Sequence, residues 1–311
     1  MPTANITVQE FFEAVYWPLR LEPRCTGGSS GNTRRLYSHS IKLFGESLGR
    51  TAMLADLGDD LAVSRHLTRL SKFERSPFSI AKERSQLLAI GNLAKKRGLL
   101  DCVFEVVAPV LPKKVPRAWL PEEVGRLMEA IDCLDGNMPR PRDQRTRGIP
   151  KRHWWKALHF VMWDTGERIS ALMAVRFEWV SIDGWLHIPA QVRKGKRGDM
   201  LFRLSPETLE AIEIIRNPQR DLIFPWHQAP NHIYYHYSRI LERAGLEDDQ
   251  GKFHRMRKTV ASLYKAAGHD PQRLLDHADA RTTSKYLDPR IVPQVQPCDV
   301  IPAIPKRRRA T

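Results

Sequence analysis

Long apolar runs are missing from this 311-residue chain. Stretches such as Ala157 to Trp163 fall far short of the roughly 20 residues that a membrane-spanning helix needs. The N-terminus lacks a basic segment followed by an apolar core, so no secretory signal is expected and the protein is predicted to be cytoplasmic. Cysteine is scarce as well. Cys25, Cys102, Cys133 and Cys298 are scattered, with no CxxC pair and no neighbouring histidine at a zinc spacing. That argues against a structural zinc site and, in the cytosol, for free thiols. There is no Walker loop and no clustered carboxylate metal site, so neither nucleotide nor metal chemistry is indicated. Internal repeats are absent too.

What is abundant is positive charge. Lysine and arginine total 50 against 35 aspartate and glutamate, a formal net charge of +15. Such a surplus draws polyanions in from a distance. Nucleic acid is the foremost candidate, because each phosphate neutralised releases counterions and adds affinity. Charge alone leaves an anionic membrane and ribosomal RNA open. Hydrophobic residues make up 42%, ample for a packed core, and the length suits two domains of roughly 100–200 residues.

The first hundred residues read as helices. Thr7 with Glu10 forms a capping-box pattern, after which Phe11, Phe12, Val15 and Leu19 recur at helical spacing. Beyond a Gly/Ser loop (Gly27 to Gly31), Tyr37, Ile41, Phe44 and Leu48 mark a second helix, and Leu61, Leu67 and Leu70 a third. A fourth runs from about Ser79 to a stop at Gly98. Residues 108–116, with three prolines, predict a stiff extended linker. A helix then begins around Pro121. Met138 to Arg152 is polar, basic and Pro-interrupted, and is expected to be an exposed loop. Ala157 to Trp163 predicts an apolar helix, Ile169 to Val175 a second helical stretch. Val180 to Ile182 and Trp185 to Ile188 flank Asp183-Gly184, a two-residue hairpin signal, and Met200 to Leu204 supplies a third strand. Helices follow from Ser205 through Ile215, from about Asn231 to Ala244, and after Phe253. The fold class expected is mainly α with a small antiparallel β-sheet.

Four short segments carry chemistry-bearing residues: Thr165-Gly166-Glu167-Arg168; the basic turn around Lys194; His254-Arg255-Met256-Arg257; and Leu275-Asp276-His277, with Tyr286 nine residues on. Taken singly, each is more often a salt bridge, a surface patch or a packing residue. Phosphodiester exchange, however, needs a nucleophile, positive charge on the non-bridging oxygens and a proton for the leaving oxygen. Two guanidiniums suit the second task, because they stay charged and grip phosphate bidentately.

In this order the set Arg168, Lys194, His254-x-x-Arg257, His277 and Tyr286 resembles the tyrosine recombinase family of phage integrases and Xer-like enzymes, and the resemblance covers nearly the whole chain. It implies a helical core-binding domain over residues 1–106, a linker over 107–119, a mixed α/β catalytic domain over 120–290 and a Pro-rich basic tail over 291–311. The two domains would form the halves of a clamp around double-stranded DNA. Tyr286 would be the nucleophile, Arg168 and Arg257 would hold the phosphate, and His254 would act as base or proton relay. His277 would donate to the phosphate, and Lys194 (with Lys196 as its rival) would protonate the departing 5′ oxygen. The resemblance further implies a 3′-phosphotyrosine intermediate, a homo-tetramer on two duplexes, a Holliday junction, no cofactor, and accessory DNA-bending factors as candidate partners. DNA contacts are expected at Arg34, Arg35, Lys42, Arg84, Lys95, Arg145, Arg193, Lys196 and Arg197.

The chain departs from the family pattern at defined positions. The acidic residue usual three places after the first arginine is Ala171, and the glycine before the histidine is Asp276. Lys258 stands where a histidine is frequent. Glu167, beside Arg168, is expected to project elsewhere on a helix. A DNA-binding protein that no longer cleaves, and a helical RNA-binding protein, are the alternatives to an active recombinase.

Overall fold

The computed structural model describes residues 6–22, 31–139, 148–195, 198–247, 251–293 and 300. The chain divides into two compact units, Met1–Lys113 and Lys114–Thr311.

The first unit is helical. α1 (Val8–Phe11) starts at Thr7, whose side chain accepts from the Glu10 amide while Glu10 reaches back to the Thr7 amide, the reciprocal capping box read from the sequence. The helix then widens into a π-helical stretch, Phe12–Leu21, that contains Pro18. Proline lacks the N–H of the regular ladder and collides with the carbonyl four residues back, and i→i+5 bonding avoids that clash. One consequence corrects the expected face: Leu19 is 47% exposed, because the wider turn rotates it away from Phe11 and Phe12. α2 (Gly31–Leu48), α3 (Asp60–Lys72) and α4 (Pro77–Lys96) complete the unit. Asp59 and Ser76 cap α3 and α4, and Pro77 occupies the first turn. Their apolar faces enclose Phe11, Phe12, Phe44, Leu54, Leu57, Leu87 and Ile90. Residues 102–120 carry neither helix nor strand.

The second unit is built on α6 (Lys151–Thr165), which packs against α5 (Pro121–Asp132) and α8 (Pro206–Ile214). Trp154, Trp155, Ala157, Leu158, Val161 and Met162 of α6 are all buried, as befits a helix covered on most sides. α6 begins at Lys151, so Lys151 and Arg152 open a helix rather than ending a loop. Met138 is buried, and its amide bonds the Ile149 carbonyl at 2.7 Å; residues 140–147 of the expected loop lie outside the described residues.

The sheet is smaller than predicted. β1 (Trp185–Ile188) pairs antiparallel with β2 (Met200–Arg203), Leu186 opposite Phe202 and both buried. The turn at Asp183-Gly184 forms with Gly184 at φ 78°. Val180 to Ile182, however, contributes one isolated bridge, Val180 to Leu186, instead of a strand. Ile182 is fully exposed, so extending the pairing would bury no apolar surface. The rest is helical: α7 (Ile169–Leu172), α9 (His232–Arg243), α10 (Lys252–Ala266), α11 (Pro271–Leu275) and α12 (Ala280–Ser284). α7 is shorter than the stretch to Val175 predicted for it. Most of the tail beyond Val292 lies outside the described residues. Among the described residues no helix is long and apolar enough to cross a membrane.

Candidate active site

α6 ends at Gly166, whose φ of 59° lies in the left-handed region that favours glycine. The turn releases Glu167 and Arg168 as a short extended stretch ahead of α7. Glu167 is therefore not on a helix, contrary to expectation. It is 1% exposed, accepts the Arg168 amide at 2.8 Å, and lies 3.6 Å from an Arg257 guanidinium nitrogen.

α10 presents His254 and Arg257 on one face, as their three-residue spacing demands. Arg257 is 1% exposed. It donates to the Gly166 carbonyl and, at 2.9 Å, to the Leu275 carbonyl, which ties α10 to the end of α6 and the end of α11. Its Nε is buried without a hydrogen-bond partner among the described residues. α11 ends on Asp276 in the left-handed conformation. His277 follows, its Nδ1 3.1 Å from the Thr283 hydroxyl on α12 and its Nε2 buried and unpartnered. Just past α12, Tyr286 is anchored through its backbone: its amide bonds the Thr283 carbonyl at 2.8 Å, and its carbonyl accepts from Ser262 of α10 at 3.2 Å.

These placements converge on the Tyr286 hydroxyl, 2.9 Å from His254 Nε2. The Tyr286 ring lies 4.9 Å from that of His277 and 5.8 Å from the Arg257 guanidinium. Arg168, His254 and Arg257 line one open cavity of about 550 Å³, together with Tyr234 and Lys252. Lys194, exposed on the turn between β1 and β2, is close enough to act electrostatically on His254. Five of the six predicted catalytic residues thus meet at one place, with Lys194 at its edge; Lys196 lies outside the described residues.

Charge dominates this site. Close packing and then Arg257, Arg168, Lys258 and Lys194 push His254 down to about 4; the residue keeps an exposed edge, but the four cations alone give that direction. Burial, then Arg257 and Arg168, push His277 to about 4 as well, with Asp276 opposing. Both imidazoles are therefore neutral at pH 7, and neutral His254 can accept a proton. If it does so in the rate-limiting step, the single-turnover rate at pH 5.5 should match that at pH 7, whereas a base at the ordinary ~6.5 would have lost roughly 90% of its neutral form. A fall beginning near pH 6.5 would overturn the assignment. Stability moves the other way: the contribution of these neutral imidazoles is full above about 6.5 and is lost as pH falls toward about 4, because the unfolded chain binds protons first.

The predicted DNA-contact residues separate. Arg34 bonds Glu13, Arg35 bonds Asn32 at 2.8 Å, and Lys42 lies 3.9 Å from Glu46; all three are exposed. Lys95 is exposed in the last turn of α4. Arg84 is half-buried, its Nε on the Val106 carbonyl at 2.6 Å. Arg145 and Arg197, like Lys196, fall outside the described residues. Arg193 is a correction: it is 3% exposed and all three of its guanidinium nitrogens are taken up by Glu167, Asp276 and the Gly198 carbonyl, so it is not offered to a DNA backbone. Sequence reasoning set aside Glu167 and missed Ser262 and Asp288. The Asp288 carboxylate is fully buried between the Ala118 amide and Arg290, and its amide bonds Ser262, steadying the segment after Tyr286. No local signal marked these two.

Known proteins are similar in sequence and in fold. The chain is 25% identical over 274 residues to the tyrosine recombinase XerA of Pyrococcus horikoshii, covering 83% of this chain and 84% of that one. Its fold is like that of a lambda integrase(75-356) dimer solved on a COC′ core site, with a TM-score of 0.68, 18% identity, and 94% and 99% of the two chains covered. A lambda integrase tetramer solved on a Holliday junction gives the same TM-score and identity over 93% of this chain and 80% of that one. Residues 121–291 match the model of the phage integrase family. By that match the chain belongs to the phage integrase family of tyrosine recombinases, enzymes of DNA strand transfer.

Proposed function

We propose that this chain is a site-specific DNA recombinase, an integrase of a mobile element, that breaks and rejoins double-stranded DNA through a 3′-phosphotyrosine at Tyr286. The observation that carries the reading is the 2.9 Å contact between the Tyr286 hydroxyl and Nε2 of His254, with Arg257 and His277 beside it.

The steps follow from the geometry. Tyr286 Oη attacks the phosphorus and passes its proton to His254. Arg257, through its unpartnered Nε, and Arg168 carry the charge that grows on the non-bridging oxygens; donors already held in place stabilise such charge without the reorganisation that water must undergo. His277 adds one more donor in the tautomer that carries its proton on Nε2, in which Nδ1 accepts from the Thr283 hydroxyl 3.1 Å away. The P–O5′ bond breaks as Lys194 (or its neighbour Lys196) gives O5′ a proton. Attack of a 5′ hydroxyl on the phosphotyrosine reverses these transfers and reseals a strand, so the bond energy is kept and no energy cofactor is needed.

Residues 1–106 serve as the core-binding domain, 107–119 as the linker, 120–290 as the catalytic domain and 291–311 as a basic tail. Arg34, Arg35, Lys42, Arg84 and Lys95 contact phosphate, as do Arg145, Lys196 and Arg197. The assembly is a homo-tetramer on two duplexes that passes through a Holliday junction, acts in the cytoplasm on the nucleoid, and works with accessory DNA-bending factors. Supporting the assembly is the lambda integrase tetramer solved on such a junction.

Covalent trapping tests this. On a nicked suicide substrate drawn from DNA flanking the gene, a slowly migrating protein–DNA adduct should form, and mass spectrometry should place the phosphate on Tyr286. Tight binding of that DNA without any adduct would favour a DNA-binding protein that no longer cleaves.

A further inference from the structure

Of the two departures from the family pattern, Asp276 in place of glycine and Ala171 in place of an acidic residue, the first is paired with Arg193, which also pairs with Glu167. Its guanidinium is buried, with Nε 2.7 Å from Glu167 Oε1 and Nη1 2.8 Å from Asp276 Oδ2 and 2.9 Å from the Gly198 carbonyl. Asp276 holds φ 52° and ψ 48°, a left-handed conformation that aspartate tolerates better than most residues. Aspartate can therefore stand where glycine is usual, and it adds a carboxylate next to His277. Ala171 is 1% exposed and carries no charge; Glu167 supplies the buried negative charge from the other side of Arg168. Arg193 and Arg257 are thereby balanced by Glu167 and Asp276, as buried ions require.

The three segments joined at Arg193 differ in what else holds them. Glu167 has the Arg168 amide and Arg257. The Asp276-His277 segment has backbone bonds to Arg273 and Gln272 and the Arg257 bond to Leu275. Lys194 is exposed on a turn whose next residue, Gly195, has φ 95°, and Arg193 is the buried anchor immediately before it.

We propose that Arg193 is a positioning residue: clamped between Glu167 and Asp276, it holds the Lys194 turn against the segments that carry Arg168 and His277, so that Lys194 Nζ meets the departing 5′ oxygen. The proposal rests on the strand-transfer chemistry above, with Lys194 as the proton donor.

The leaving atom provides the test. When the bridging 5′ oxygen is replaced by sulfur, a thiolate departs without needing a proton, so misplacement of the donor no longer matters. Single-turnover cleavage is compared on the ordinary and the 5′-phosphorothiolate substrate for wild type, Arg193→Ala and Asp276→Asn. Arg193→Ala should be about 100-fold slower than wild type on the ordinary substrate, the size of effect that a displaced catalytic group produces, and within about 3-fold of wild type on the sulfur substrate. Asp276→Asn keeps the Glu167 pairing and tolerates the left-handed backbone; it should show the same selectivity at about 10-fold, and it decides the matter if Arg193→Ala does not fold. Equal slowing on both substrates, or none on either, overturns the proposal. Wild type that forms no adduct on either substrate would instead defeat the chemistry beneath it, a different and recognisable result.

Discussion

Tyr286→Phe should abolish the covalent protein–DNA adduct while leaving DNA affinity and fold unchanged. Only one atom is removed. The ring keeps its neighbours, with His254 and His277 at centroid distances of 5.3 and 4.9 Å, and the backbone anchors through Thr283 and Ser262 do not involve the side chain. The hydroxyl's hydrogen bonds to His254 and Arg257 are lost; in a half-buried site each costs about 1 kcal/mol, too little to unfold the unit. The chemical effect is total, because no phosphotyrosine forms without the hydroxyl. Denaturing electrophoresis of the suicide-substrate reaction reads the adduct, and a mobility-shift titration at fixed salt reads affinity. An adduct that persists in the Phe variant would mean that another side chain is the nucleophile.

Arg257→Ala should lower the single-turnover cleavage rate by about 10²–10³, the loss seen when one preorganised donor to a developing oxyanion is removed. It should also destabilise the catalytic unit by about 3 kcal/mol, because a buried ion network loses one member and the carbonyls of Gly166 and Leu275 lose their donor. The two effects can be separated. Thermal melting reads the second, and cleavage measured well below the melting transition reads the first. Arg257→Lys keeps the charge but cannot reproduce the planar fork that reaches both carbonyls, so it should recover stability better than rate. Cleavage unchanged at low temperature in both variants would make Arg257 a structural residue alone.

The pH dependence and the Arg193 proposal meet at one physical point. Burial and then Arg257, Arg168, Lys258 and Lys194 hold His254 neutral; in the proposed chemistry two of these cations, Arg168 and Arg257, also bind the phosphate. Arg193, Glu167 and Asp276 pair beside it, and Glu167 also lies 3.6 Å from Arg257, so the two carboxylates offset Arg193 and Arg257 together.

Much of this was legible in the chain itself. Capping residues such as Thr7, Ser76 and Ser205 start helices through bonds two or three positions away, and the three-residue step from His254 to Arg257 sets a shared face in any α-helix. Elements and motifs of that kind are local, so residue order alone determined them, together with the basic charge and the set of candidate catalytic side chains. The tertiary structure decided the rest. Arg193 read as one more basic residue in a basic turn, yet its partners lie 26 and 83 positions away. Glu167 looked misplaced only while it was assumed to sit on a helix. Val180 to Ile182 alternated like a strand but had no core to cover, and Leu19 fell off its expected face at Pro18. In each of these cases the outcome depended on what packing placed nearby and on whether burial repaid the conformation, and neither is encoded within a turn or two of the residue concerned.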